Sequence, residues 1–184
     1  MIPEFTDDGY LPRGVHRATL EEIAARFGQE PELRQVQMES LRWLMDLARR
    51  ADVLKLNDGE VGRLASWIRT GEALHDTPHD DEAIARACET LAKATNVSRI
   101  CVTRGEEGAA FWDGGSLTTA RAPHIEVKDT VGAGDAFIAG LMVGLTRGID
   151  HQRVLEIACR LGAYVASHYG ATPLLPPELT QPLR

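Results

Sequence analysis

The sequence DTVGAGDAFIAG, residues 129–140, decides the fold. Glycine has no side chain, so Gly132 and Gly134 permit a sharp turn and let a ligand approach the main chain closely. The following residues predict a helix to about Arg147, buried by Ala136, Phe137, Ile138, Leu141, Met142 and Leu145. The turn therefore leads into a helix start, where the amides of Gly132, Ala133 and Gly134 would form a binding place for a phosphate.

Asp135 falls in the first turn of this predicted helix, where a carboxylate is electrostatically favoured. A fixed base beside an anion-binding turn is what phosphoryl transfer to a hydroxyl group requires. The ordinary alternative is a glycine-rich helix start with an N-terminal aspartate, and a bare GxGD pattern does not separate the two interpretations.

Around this stretch, short strands alternate with helices, which predicts an α/β layered sheet with flanking helices. The two glycines Gly114 and Gly115 predict a tight hairpin. Upstream, residues 1–50 predict a helical N-terminal segment whose second helix spans about 32–50. The predicted strands are 52–56, 99–103, 109–113 and 116–121, and the other predicted helices begin near Glu60 or span 81–95 and 152–168.

The amino-acid composition excludes some classes of binding partner. Acidic residues number 27 and basic residues 20, and the resulting charge of −7 repels nucleic acid and anionic lipid. No signal peptide is visible, and the apolar run 136–145 is too short to span a membrane. Cys88, Cys101 and Cys159 are widely spaced and suggest buried, reduced thiols. We therefore expect a soluble, cytoplasmic protein without nucleic-acid or membrane partners.

The residues DTVGAGDAF resemble the C-terminal signature of the ribokinase, or PfkB, family of sugar kinases. The resemblance implies a partial ribokinase-like sheet and an ATP- and magnesium-dependent carbohydrate kinase, which phosphorylates a hydroxyl of a small sugar or nucleoside. It makes Asp135 the catalytic base. It assigns the transferring phosphate to the amides of Gly132, Ala133 and Gly134.

Two further segments resemble motifs of the same family. LKLNDGE (54–60) is similar to its Asn-x-x-Glu element, which implies that Asn57 and Glu60 organise magnesium and that Asn57 helps to bind the nucleotide. VTRGEEGA (102–109) is similar to its Thr-x-Gly segment, which places Thr103 and Gly105 beside ATP. The resemblance also implies a nucleotide contact by Cys159. Each segment alone also fits an ordinary strand end followed by a turn.

HYGATP (168–173) resembles the Gly-Ala-x-Pro tail of the family. In some members this region helps to bind a monovalent cation such as potassium. The corresponding positions here are Asp129, Val131, Val165, His168 and Gly170. Leu174 stands where some relatives have a small polar ligand, which argues against potassium.

A second cluster, His75, Asp76, His79, Asp80 and Asp81, could be read as a metal site. Pro78 interrupts it within a loop-like segment, so a solvated loop is the favoured interpretation.

The resemblance covers residues 52–184, less than half of a complete family member, and predicts a nucleotide-binding part at 51–184. Residues 1–50 are similar instead to the opening of an uncharacterised, nucleotidyltransferase-like bacterial family, whose chemistry does not carry over. Half of such a sheet would leave an open edge and an uncovered apolar face, which favours a homodimer or aggregation unless the N-terminal helices cover it. Without a lid or sugar pocket, phosphorylation would be impaired. The alternative is an inactive nucleotide-binding remnant or interaction module.

Overall fold

A computed structural model describes residues 42–71 and 77–183. The chain divides into two compact units, Met1–Leu47 and Ala48–Arg184. Residues 42–48 are helical, in agreement with the end of the helix predicted over 32–50. The remainder of the predicted N-terminal segment lies outside the described residues.

The second unit is built on a four-stranded mixed sheet with the order β1-β2-β3-β4. β1 and β2 are parallel, and the other two neighbouring pairs are antiparallel. Parallel neighbours need a crossover connection, which here contains helices α1 and α2. The bounds are β1 Leu54–Asn57, α1 Asp58–Thr70, α2 Asp81–Thr95, β2 Arg99–Thr103, β3 Ala109–Asp113 and β4 Ser116–Ala120.

The hairpin between β3 and β4 confirms the sequence prediction. Asp113 pairs with Ser116, so only Gly114 and Gly115 form the turn. Both glycines have positive φ angles, 59° and 111°. Two consecutive positive φ values match the right-handed twist of hairpin strands and are strained for residues with a Cβ atom.

Helices α3 (Ala133–Thr146) and α4 (His151–Ala166) pack closely against each other. The closeness depends on small residues: a Cβ atom at Gly140 would lie 2.6 Å from Leu161 Cδ1, and one at Gly144 would lie 2.7 Å from Val154 Cγ2. A Cβ atom at Gly162 of α4 would lie 3.1 Å from the carbonyl oxygen of Ala133, the first residue of α3. The position of α3 is therefore determined by direct contact with α4.

Both faces of the sheet centre are covered. On one face, Cys101 and Phe111 join a buried cluster with residues of α3 and α4. The alternate side chains Ile100, Val102 and Ala110 are also fully buried, on the face where α2 packs. The centre of the sheet therefore does not show the uncovered apolar face expected from the sequence.

The outer face of α3 departs from expectation. Phe137 and Leu141 are buried as predicted, but Ile138 and Met142 are exposed, as is Val143. Between Ala136 and Leu145 the helix carries only apolar residues, whereas α4 covers only one of its sides. A homodimer stays a prediction.

The C-terminal residues complete the second unit. Helix α5 (Pro177–Thr180) and a 3-10 turn (Gln181–Leu183) follow α4. Leu183 packs with Ile157 and Leu161 of α4. Within residues 42–71 and 77–183, no helix has the length and apolar character needed to cross a membrane.

Candidate functional site

The predicted sharp turn is present immediately before α3. Gly132 adopts the left-handed conformation, with φ 80°, and is the N-cap of the helix. A Cβ atom at this position would also collide with the carbonyl oxygen of Ala171. Glycine is therefore required both for the backbone conformation and for the contact with residue 171. We call residues 129–135 the anion turn and residues 167–174 the tail segment.

The amides at the helix start differ in part from the sequence prediction. The Ala133 amide donates to the Thr130 carbonyl at 3.2 Å and is therefore already engaged. A phosphate contact by Ala133 stays a prediction. Among the residues that the structure describes, no acceptor receives the amides of Gly132, Gly134 or Asp135. The main-chain amide of Asp135 was not part of the predicted set. The rule that the first amides of a helix lack internal partners could have identified it.

The surface next to these amides is open. Asp135 and Gly134 are exposed, and a Cβ atom at Gly134 would meet no atom within 4 Å. On the other side of the helix, Phe137 and Leu141 are buried and hold it in place. The carboxylate and the adjacent amides thus face a space that a ligand can enter.

Asp129 links the anion turn to the tail segment. Its Oδ1 accepts the Val131 amide and its Oδ2 accepts the Gly170 amide, each at 3.0 Å. These hydrogen bonds, that of Val131 foremost, lower the pKa of Asp129 because they stabilise the ionised carboxylate. The amides of Lys128 and Asp129 both donate to the Ala166 carbonyl, at 2.9 and 3.2 Å. The anion turn is therefore held against the end of α4 and the residues beyond it.

Asn57 and Glu60 form a capping box at the start of α1. The Asn57 Oδ1 accepts the Glu60 amide, and the Glu60 Oε2 accepts the Asn57 amide, both at 2.7 Å. Reciprocal bonds of this kind satisfy two helix-start amides. Both residues are exposed. The structure thus gives the pair a structural task, and their role in organising magnesium stays a prediction.

Thr103 and Gly105 lie next to this capping box. Thr103 is the register partner of Asn57 in the parallel pair, and its Oγ1 donates to the Leu56 carbonyl at 3.4 Å. Gly105 begins a 3-10 turn with φ 55°, and its Cβ position is open. The structure therefore brings three predicted nucleotide-binding residues to the edge where β1 and β2 end.

Helix α4 leads towards the same edge. At its start, His151 Nδ1 lies 3.7 Å from Asp113 Oδ2, at one end of the β3–β4 hairpin. Further along, Cys159 contacts the carbonyl of Ala120 at the other end of that hairpin, which is the end level with Thr103. The end of α4 and the anion turn bound to it therefore lie at the carboxyl edge of β1 and β2. Ligands of open α/β sheets bind outside this edge.

Cys159 itself does not face this edge as a surface group. Its thiol is buried in the cluster with Cys101 and Phe111 and donates to the Ala120 carbonyl at 3.9 Å. Burial raises the pKa of Cys159 to about 11. Its side chain packs in the core because this position of α4 faces the sheet, and a nucleotide contact by Cys159 stays a prediction.

The predicted cation ligands lie in the anion turn and at the end of α4. Their carboxylate and carbonyl oxygens are suitable donors for a hard cation. However, both Asp129 oxygens already accept amides, and the Val165 carbonyl accepts the His168 amide at 3.0 Å. Leu174 supplies no side-chain oxygen. The donors therefore fit potassium poorly, and a cation at Asp129, Val131, Val165, His168 and Gly170 stays a prediction.

The loop before α2 has structural functions. Asp80 caps α2 by accepting the Ala83 amide at 2.6 Å, and Asp81 forms a 2.7 Å ion pair with Arg104. His75 and Asp76 lie outside the described residues. In the described ranges, no three His, Cys, Asp or Glu side chains are grouped to hold a metal ion.

Comparison with known proteins decides the family. The family model of pfkB family carbohydrate kinases matches residues 7–178. The chain belongs to the pfkB family. The match begins well before residue 51, where the sequence predicts the start of the kinase part. This boundary, and a separate origin for residues 1–50, stay predictions.

Two curated relatives illustrate the similarity. Bifunctional protein HldE of Methylobacillus flagellatus is 35% identical over 126 residues, which cover 68% of this chain and 26% of that protein. The 1-phosphofructokinase of Rhodobacter capsulatus is 29% identical over 169 residues, or 92% of this chain and 50% of the relative. The chain thus spans half or less of the length of these relatives.

Solved structures confirm the ribokinase-like fold. A ribokinase of Arabidopsis thaliana complexed with ribose and ATP superposes with a TM-score of 0.58 at 28% identity, covering 69% of this chain and 38% of that one. A nucleoside kinase of Burkholderia thailandensis in complex with inosine has a TM-score of 0.51 at 27% identity, covering 72% and 37%. The mixed sheet with helices on both faces is therefore a part of the pfkB-type fold.

Proposed function

We propose that this chain binds ATP with magnesium and transfers the terminal phosphoryl group to a hydroxyl of a small sugar or nucleoside. The observation that carries the proposal is the start of α3. There, the exposed Asp135 carboxylate stands beside the open amides of Gly134 and Asp135 on a helix anchored by buried residues. Asp135 accepts the hydroxyl proton, and the amides stabilise the charge of the transferring group.

The substrate classes come from the relatives. One similar structure contains ribose and ATP, another contains inosine, and one curated relative is named 1-phosphofructokinase. These names support a small polyhydroxylated acceptor and ATP as the donor. The acidic charge of the chain, −7, also argues against a nucleic-acid acceptor.

Asn57, Glu60, Thr103 and Gly105 form the nucleotide side of the proposed site. Glu60 uses Oε2 in the capping box, so Oε1 is the oxygen that remains to orient magnesium or its bound water. Magnesium held near these residues would supply positive charge against the negative charge that develops on the transferring phosphate. The open space at Gly105 lets the nucleotide lie against the main chain. The amides of the anion turn then receive the terminal phosphate at the same sheet edge.

A second candidate is nucleotide binding without phosphoryl transfer. Asp135 is exposed, and no element within the described ranges covers it. Phosphoryl transfer depends on positioning and on the exclusion of water. A site whose catalytic base is open to solvent can therefore bind ATP without catalysing the transfer efficiently. This candidate predicts ATP affinity without release of ADP.

The three buried free cysteines support a location in the reducing cytoplasm, which is part of the proposal. The proposal does not include a homodimer.

The deciding experiment measures ADP release and ATP binding by the purified chain. The chain is incubated with ATP, magnesium and a panel of sugars and nucleosides, and ATP affinity is measured by calorimetry. Asp135→Asn should abolish ADP release and leave ATP affinity unchanged. Asp113→Asn, the same change at the opposite sheet edge, should alter neither. ATP binding without ADP release for any acceptor favours the second candidate, and absence of ATP binding overturns both.

A further inference from the structure

We propose that Asp129 is a positioning residue: its carboxylate ties the anion turn to the tail segment and thereby fixes the amides of Gly134 and Asp135 where a phosphate needs them. The proposal rests on the proposed function, since it concerns the same phosphate site. Asp129 does not touch the ligand in this role. It acts through the main chain on either side of it.

The two hydrogen bonds of Asp129 have different consequences. The bond from the Val131 amide is local, because it closes a turn between residues two positions apart. The bond from the Gly170 amide spans 41 residues of sequence and joins two separate segments. Local bonds of this type form in many turns. The bond to Gly170 is therefore the informative one.

The main chain beside Asp129 is anchored independently. The amides of Lys128 and Asp129 share the carbonyl oxygen of Ala166, the last residue of α4. Removing the Asp129 side chain would leave these two bonds in place. The turn would stay attached to the helix end while the tail segment would lose its connection at Gly170, so the effect on the tail segment can be separated from unfolding.

The tail segment in turn touches the anion turn at a second point. The backbone of Ala171 lies so close to Gly132 that a Cβ atom there would collide with it. Gly170 has φ 84°, and the hydrogen bond from its main-chain amide to the Asp129 carboxylate helps to hold this conformation. A shift of the tail segment therefore changes the space available to Gly132, the N-cap of α3. The amides of Gly134 and Asp135 lie in the first helical turn after that N-cap, so their positions depend on it.

The chemistry of Asp129 argues against a direct contact with phosphate. A carboxylate repels a phosphate, and both of its oxygens are directed at amides of the protein. Bonds from amides to a carboxylate are stronger than bonds between neutral groups. The charged Asp129 carboxylate therefore connects the anion turn firmly to the tail segment. Replacement by asparagine should weaken this connection, and replacement by alanine should weaken it further.

The test compares Asp129→Ala and Asp129→Asn with Glu126→Gln, which changes an exposed carboxylate just before the turn. Amide hydrogen exchange is measured on the peptide containing Gly170, and ATP affinity is measured by calorimetry. In Asp129→Ala, exchange at Gly170 should accelerate about tenfold or more, as expected for the loss of a bond to a charged acceptor. ATP affinity should fall by a comparable factor. Asp129→Asn, which retains one acceptor oxygen, should show an intermediate effect, and Glu126→Gln should show none.

Unchanged exchange at Gly170 in Asp129→Ala would overturn this inference alone. Faster exchange with unchanged ATP affinity would also overturn it, because the bond would then be structural only. If the unaltered chain fails to bind ATP, the proposed function and the positioning role both fail, while exchange at Gly170 still reports whether the bond exists. If Asp129→Ala does not fold, the comparison is made with Asp129→Asn, which preserves the volume and one hydrogen bond.

Discussion

Asn57 and Thr103 are register partners at the carboxyl ends of the two parallel strands, with the Thr103 hydroxyl bonded to the carbonyl just before Asn57. Their sequence positions are far apart, yet strand pairing places them side by side. Helix α4 packs on one face of the sheet and brings the anion turn to this edge. The proposed nucleotide and phosphate contacts are thereby assembled by the sheet rather than by a single continuous segment.

Glu60→Gln separates the two roles of Glu60. Glutamine keeps an oxygen that can accept the Asn57 amide, so the capping box and the free energy of unfolding should change little. The loss of negative charge should weaken binding of ATP in the presence of magnesium, measured by calorimetry with and without the metal. Equal ATP affinity of both proteins at every magnesium concentration would argue that Glu60 is only a cap.

Asn57→Ala removes the cap itself. The free energy of unfolding, measured with urea, should fall by about 1 kcal/mol, the usual effect of deleting an N-cap side chain. Asp80→Ala deletes the equivalent cap of α2 and provides the matched control. Both changes should destabilise the chain to a similar extent, and only Asn57→Ala should reduce ATP affinity. A similar loss of affinity in Asp80→Ala would point to a general effect of stability.

Gly134→Ala should leave the fold intact and weaken ATP binding. The new methyl group meets open space, and alanine is favoured over glycine in a helix by up to about 1 kcal/mol. The same methyl group would occupy the approach of a phosphate to the amides. The expected result is an unchanged or higher melting temperature with lower ATP affinity. Unaltered affinity would indicate that phosphate binds elsewhere.

Gly132→Ala should behave differently from Gly134→Ala. Its backbone has a positive φ and its added Cβ atom would collide with Ala171, so the anion turn must rearrange. We expect a lower melting temperature together with faster amide exchange in the tail segment. A variant as stable as the unaltered chain would show that the turn and the tail segment can separate freely.

The three cysteines should be unreactive in the folded chain. Burial raises the pKa of Cys88 and Cys101 to about 12 and that of Cys159 to about 11, so at pH 8 the thiols are protonated and lack the nucleophilic thiolate. A colorimetric thiol reagent should detect almost no reactive groups at pH 8 and three after denaturation. Rapid labelling of the native chain would contradict the core positions described above.

Potassium should have little influence. The two amides already engage the Asp129 carboxylate, and Leu174 offers no oxygen. We expect ATP affinity and ADP release to be the same in potassium and sodium buffers of equal ionic strength. A marked gain in potassium would show that the ion competes successfully with the amide of Val131 or Gly170.

Local signals in the sequence predict much of this fold. The pair Gly114-Gly115 predicts the hairpin, and the apolar spacing after Asp81 predicts α2 with its observed bounds. Asp135 is exposed, as its predicted role as a base requires, and the role itself stays a prediction. In each case the decisive interactions involve residues close together in the chain.

Other features could not be predicted because they depend on distant contacts. The link from Asp129 to Gly170 requires two segments to meet in space, and no local pattern marks it. The bond from Ala133 to the Thr130 carbonyl depends on the details of the turn. Apolar residues on α3 predict burial on every side, yet Ile138 and Met142 are exposed because a single neighbouring helix covers one side only.

The close packing of Gly162 against α3 means that a residue outside the ligand contacts can shift the position of the phosphate-binding amides. An added methyl group there would press on the carbonyl of Ala133 at 3.1 Å, so a few tenths of an ångström must be absorbed by the first turn of α3. Substitution at this one position on the neighbouring helix could therefore retune the strength of phosphate capture while every atom that meets the ligand keeps its chemical identity.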